Sequence, residues 1–170
     1  MKKKVVLFAN GWSSDNLIPF TQGLTKNLPE KSIDIYAFYS HETYGQGEVE
    51  RKSQSTVFTL PDIKDYDAAI IFGAGLNFAD SIDYIYQKVD EAGIPSISIC
   101  NEHEGHFNIG VDNYSGMLDL SNHIIDKHNC KDILFIAGSK ENTDSNIRLK
   151  ALCDALDAHG LNKPDIFYSK

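Results

Sequence analysis

"IGVDNYSGMLDLSNHIIDKHNCKDILFIAG", residues 109–138, carries the clearest structural signal in the chain. Asp112 stands before a segment with Met117, Leu120, Ile124 and Ile125 at helical spacing, which predicts a helix over 113–128 with those four side chains facing inward. Asp112 is better suited to cap that helix than to touch a ligand. The apolar run DILFIA (132–137) follows and closes on Gly138, the pattern of a buried strand. No nucleophile stands beside a base anywhere in the stretch, so it reads as a scaffold that holds a ligand rather than one that transforms it.

The same alternation extends in both directions. Upstream, KVVLFA (4–9) predicts a buried strand, and Leu17, Phe20, Leu24 and Leu28 predict a helix starting near Asn16. Ser13 or Ser14 is placed to cap it, and Pro19 fits only within its first turn. IDIYAFY (33–39) predicts a second strand, residues 48–53 a short helix, and residues 56–60 a short edge strand before Pro61. DAAIIF (67–72) predicts a third strand, ending in Gly73-Ala74-Gly75. A helix over 78–92 with Gly93 as its C-terminal cap comes next, then strands over 95–100 and 107–111. Downstream, a helix over 144–159 and a strand over 165–168 complete the pattern.

About six strand–helix alternations require parallel pairing through crossover helices. The fold class is therefore α/β with a doubly wound, Rossmann-like parallel sheet, and the first four strands are expected in the order 2-1-3-4. Ligands bind such sheets beyond the carboxyl ends of the strands. The loops there (10–15, 40–47, 73–77, 101–106 and 138–145) are rich in Gly, Ser, Asn, Asp, Glu and His. None holds a GxGxxG or GxxxxGK[ST] phosphate loop.

Composition narrows the function. With 16 Lys+Arg against 24 Asp+Glu the formal charge is −8, and the one basic cluster is Lys2-Lys3-Lys4. This argues against direct nucleic-acid contact, which needs clustered cations to displace counterions. No stretch approaches the about 20 apolar residues of a membrane span, and the run after the lysines is too short for a signal peptide. Three widely spaced cysteines (Cys100, Cys130, Cys153) without a CxxC read as reduced thiols, and the expected location is cytoplasmic.

"VDNYSG" (111–116), "KDILFIAG" (131–138) and "SNIRLKALCDALDAHGL" (145–161), in that order, resemble the effector-binding core of the LacI/GalR family, which shares the type I periplasmic-binding-protein fold. Upstream, "VVLFANGWSSDNLIPFTQGL" (5–24), "DAAIIFGAG" (67–75) and "AGIPSISIC" (92–100) look like that family's first, third and fourth strand units. The resemblance covers nearly the whole chain. It implies a first lobe over residues 1–110 and the first part of a second, incomplete lobe over 111–170. Family repressors open with a helix-turn-helix headpiece, whereas this chain opens at its first strand, and no headpiece is expected before it. Such modules also resemble sensors placed before a diguanylate cyclase or kinase output.

The resemblance assigns Arg148 to the ligand. Its rigid fork of donors suits sugar hydroxyls or a carboxylate, although an exposed arginine paired with Asp144 or Glu141 is the plainer reading. Asn101 follows a strand where the family often has an aspartate, and its amide can both donate and accept. Trp12, the single tryptophan, could stack on an apolar sugar face or close the edge of the core. The expected ligand set is Trp12, Asn16, Gly73, Asn101 and Arg148, with Tyr44 and Phe78 as weaker candidates. His103 and His106 read as polar loop residues rather than a metal pair, because zinc needs three or four ligands. No GxSxG elbow supports a catalytic triad, and no cofactor or metal is expected.

These readings converge on a non-enzymatic cytoplasmic domain that binds a small polar ligand, a sugar or a nucleoside, between two lobes and biases an attached regulatory output. A transport-type solute-binding protein and a flavodoxin-like or hydrolase-like enzyme are the alternatives on the same sheet. A half-built second lobe would leave an open sheet edge and apolar surface uncovered, so a homodimer, or exchange of residues 113–170 between chains, is expected.

Overall fold

The computed structural model describes residues 2–11, 17–28, 32–41, 47–73, 76, 79–100, 102–138, 140 and 142–168. The chain divides into two compact units, Met1–Gly110 and Val111–Lys170.

The first unit is built on a five-stranded sheet: β1 (Lys3–Asn10), β2 (Ile33–Ser40), β3 (Ala68–Phe72), β4 (Ser96–Ile99) and β5 (Phe107–Ile109), in the order β2-β1-β3-β4-β5. Every pairing is parallel. The first four strands therefore take the 2-1-3-4 order expected from the sequence. Central β1 explains the two-faced burial. Val6 and Phe8 point to one side, where they join Ala69 and Ile71 of β3 and Ile85, Tyr86 and Val89 of helix α3 (Ala79–Ala92). Leu7 and Ala9 point to the other side, where Ile70, Phe72 and Ile99 meet Leu17, Phe20 and Leu24 of helix α1 (Leu17–Asn27). An apolar run buried on both faces with a helix over each is the doubly wound arrangement.

The segment 56–60, expected as an edge strand, is instead a 3-10 helix at Thr56–Thr59, continuing directly from helix α2 (Glu48–Ser55). Its apolar residues do not pair with the sheet edge. Phe58 inserts into the core, edge-on to Phe8 at 6.0 Å, while Thr56 and Thr59 hydroxyls bond back to carbonyls three residues earlier. Asp67, expected within β3, lies just before it and accepts from the Lys4 amide at 2.8 Å and the Lys3 ammonium at 2.6 Å. Gly93 caps α3 as expected, at φ +66 with its amide donating to the Val89 carbonyl.

The second unit pairs two parallel strands, β6 (Leu134–Ala137) and β7 (Asp165–Tyr168), with helices α4 (Asn113–His128) and α5 (Thr143–Ala158). Asp112 caps α4 by accepting from the Ser115 amide at 2.9 Å, and that bond holds its carboxyl below the usual carboxylate range. Asn142 caps α5 in the same way at 2.8 Å. Asn129, in the left-handed region at φ 52, ends α4, a conformation asparagine tolerates. The buried cluster is Ile125, Leu152, Ala155 and Leu156, with Met117 and Leu118 packed against it. Leu120, expected inside, is exposed. The inner stripe of α4 runs instead through Met117, Ser121 and Ile125, and the buried Ser121 hydroxyl is satisfied by the Met117 carbonyl at 2.7 Å.

Candidate ligand-binding site

In the first unit the chain order reverses between β1 and β3, since β2 lies on one side of β1 and β4 on the far side of β3. Ligand crevices of open α/β sheets form at such a switch point, beyond the strands' carboxyl ends. The residues there are Asn10 at the end of β1, Gly11 directly after it and Gly73 after β3. Asn10 is buried and accepts from the Ser40 hydroxyl at 2.9 Å, which ties the ends of β1 and β2 together. Gly11 takes φ +66 and donates to the Ser40 carbonyl at 2.8 Å, so the chain turns sharply out of β1. Such a turn favours a residue without Cβ. Gly73 donates to the Ile99 carbonyl at 2.8 Å and its carbonyl accepts from the Leu76 amide at 3.1 Å.

At the end of β4, Cys100 takes φ 59, uncommon for a residue with a side chain, and its amide donates to the Ile109 carbonyl at 2.8 Å. The same edge carries a histidine–tyrosine group. His103 stacks on buried Tyr86 at 3.8 Å between ring centres, and His106 lies tilted to Tyr86 at 4.6 Å. Tyr86 shares a 2.6 Å hydrogen bond with Ser98, and burial pushes its phenol above the usual range. His106 is held on both ring nitrogens, Nδ1 by the Ser96 hydroxyl and Nε2 by Asp90 at 3.4 Å. Among the described residues no group of three or more His, Cys, Asp or Glu is placed to hold a metal ion. No described helix is long and apolar enough to cross a membrane.

Trp12, Asn16 and Asn101, with Tyr44 and Phe78, lie outside the described residues. Gly73 follows the carboxyl end of β3, the strand end at which the sequence puts the loop 73–77. Arg148 lies in α5 of the second unit, exposed, with its Nε donating to Asn113 Oδ1 at 2.7 Å. Among the described residues no carboxylate forms an ion pair with it; the partner is a neutral amide. Asn113, not singled out from the sequence, is buried at the start of α4. Its position directly after the Asp112 cap was the one available signal. The Asn10–Ser40 pair was likewise missed, because a polar pair 30 residues apart leaves no local pattern. A cavity of about 240 Å³ lined by Pro61, Lys88 and Glu91 lies by the C-terminal end of α3, away from the strands' carboxyl ends.

No family model matches the sequence, and no curated protein matches it by sequence. Solved structures do match in fold. The periplasmic ribose ABC transporter structure from Conexibacter woesei superposes with a TM-score of 0.75 at 15% identity, over 99% of this chain and 55% of that one. The transcription regulator CcpA of Lactococcus lactis matches with 0.71 at 14% identity, over 100% and 59%. A periplasmic binding protein/LacI transcriptional regulator from Alkaliphilus metalliredigens, complexed with D-xylulofuranose, matches with 0.65 at 16% identity, over 99% and 57%. These are binding proteins and regulators, not enzymes, and the chain spans just over half the length of each. Such identities establish the fold: the chain has the α/β fold common to LacI-type transcription regulators and periplasmic sugar-binding proteins.

Proposed function

We propose that this chain is the first lobe and the beginning of the second lobe of a non-enzymatic, LacI-type domain that senses a sugar or nucleoside in the cytoplasm. The observation that carries the reading is a fold match over essentially the whole chain to proteins of this kind, one of them holding a furanose sugar. The switch-point geometry supports it, with Asn10, Gly11 and Gly73 fixed at the strand ends and no phosphate loop among them. The ligand residues are Trp12, Asn16, Gly73, Asn101 and Arg148, with polar side chains that grip hydroxyls and a tryptophan that covers an apolar ring face. Binding favours one arrangement of the domain and so biases an attached regulatory output. A homodimer accounts for the exposed apolar residues Leu134, Ile136 and Phe167 on the second unit's sheet.

A transport-type binding protein is the second reading, favoured by the match to the ribose transporter structure. The three free cysteines speak for the reducing cytoplasm instead. Calorimetry with a panel of pentoses, hexoses and nucleosides, on the protein as its gene encodes it, tests the ligand class. Saturable heat with unchanged ligand supports sensing, and a turnover product refutes the non-enzymatic reading. Cell fractionation separates the cytoplasmic sensor from the exported carrier.

A further inference from the structure

We propose that His123 and His128, at the C-terminal end of α4, form a two-nitrogen seat for a divalent cation of the zinc class. Both residues are exposed, and their Nε2 atoms face each other at 3.3 Å. The rings stand at 67° with centres 5.1 Å apart, so they meet by their edges rather than by stacking. Two imidazole nitrogens bound to one tetrahedral zinc at the usual 2.0–2.1 Å stand about 3.3 Å apart. The observed spacing is therefore that of two adjacent ligands around a single ion. Without the ion, one Nε2–H donates to the other nitrogen across a long hydrogen bond. With it, both rings carry their protons on Nδ1 and present Nε2 lone pairs to the metal.

The surroundings define a weak, open site. Asp119, one helical turn before His123, brings negative charge to the same face, and Lys127 partly opposes it. Asp126 is not a third ligand, because His159 Nε2 engages it at 3.1 Å. Zinc's need for three or four ligands is met here with two histidine nitrogens and two waters, which makes this a weak surface seat and not a structural zinc site. The other histidine pair of the chain is no competitor: His106 has both ring nitrogens occupied and His103 lies flat on Tyr86.

Titration of the chain with zinc chloride alone, followed by the histidine ring signals in NMR and by calorimetry, tests the proposal. One ion is expected per chain, with the ring signals of His123 and His128 moving together. His123→Ala or His128→Ala should each weaken binding about tenfold or more and abolish the shift of the remaining partner. His103→Ala should bind as the wild type does. Both paired histidines are exposed, so far-UV circular dichroism should show the variants folded. Absence of binding, shifts centred on other histidines, or undiminished affinity in either alanine variant would overturn the site.

Discussion

Arg148 Nε donates to Asn113 Oδ1 at 2.7 Å, joining the second turn of α5 to the first residue of α4. The acceptor is buried and the donor exposed, so the bond fixes the root of the guanidinium and leaves the two terminal nitrogens of its fork to other partners. Asn113→Ala removes the acceptor. It should lower the unfolding free energy by about 1–2 kcal/mol, as loss of one partly buried hydrogen bond to a charged group does. Urea denaturation measures this; an unchanged midpoint would mean the contact contributes nothing.

Tyr86 and Ser98 share a 2.6 Å hydrogen bond inside the first unit. Tyr86→Phe keeps the ring and its stacking on His103 but deletes the hydroxyl. The expected cost is about 1 kcal/mol. In a double-mutant cycle with Ser98→Ala the two losses should not add, because both remove the same bond. Full additivity would show that the pair is not coupled.

How far these features were legible from sequence follows their range along the chain. The order β2-β1-β3-β4 could be read because each strand is an apolar run and each connection holds a helical pattern, both of them local signals. The 3-10 helix at Thr56–Thr59 misled, because Val57 and Phe58 between threonines look like a strand until Phe8 is seen to receive Phe58. Leu120 misled in the same way: helical spacing gives a stripe but not which edge of that stripe is covered, and Ser121 took the inner place. In the candidate site Gly73 was legible as a glycine ending a buried strand. The Arg148–Asn113 bond was not, since it joins positions 35 residues apart that only the packing of α4 on α5 brings together.

His159 should titrate above its ordinary 6.5. Its Nδ1 donates to the Ala155 carbonyl at 2.8 Å and its Nε2 to Asp126 at 3.1 Å, and only the imidazolium can donate at both nitrogens. The Ala155 bond is the larger cause. A pKa raised in the folded state adds stability that is fully present below the unfolded value and is lost as pH rises through the folded one. Unfolding followed from pH 5.5 to 8.5 should therefore show a declining contribution above about 6.5. His159→Gln should remove that slope, and Asp126→Asn should lower the NMR midpoint of His159.

On the second unit's sheet, Ile136 is 75% exposed and pairs in register with Phe167, itself 66% exposed. An apolar pair in that state favours association with another surface. The wild-type chain should self-associate in sedimentation equilibrium. Ile136→Lys should shift it toward monomer while moving stability by no more than about 0.5 kcal/mol, as surface substitutions do. A wild-type chain that stays monomeric at high concentration would refute the homodimer.

The ligand role of Arg148 is separable from its structural one. Arg148→Ala loses the bond to Asn113 and, in the proposed site, a charge-assisted donor to the ligand. Asn113→Ala loses the first and keeps the guanidinium. If Arg148 binds ligand directly, Arg148→Ala should weaken the tightest sugar or nucleoside of the panel by roughly 1.5–3 kcal/mol, about 10- to 150-fold. Asn113→Ala should cost less affinity, since it only loosens the side chain. Arg148→Lys should recover little, because a lysine ammonium lacks the planar fork that addresses two oxygens together. Calorimetry on the three variants decides the matter. Equal losses for Arg148→Ala and Asn113→Ala would make Arg148 a structural strut between α4 and α5, and no loss in either would remove it from the site.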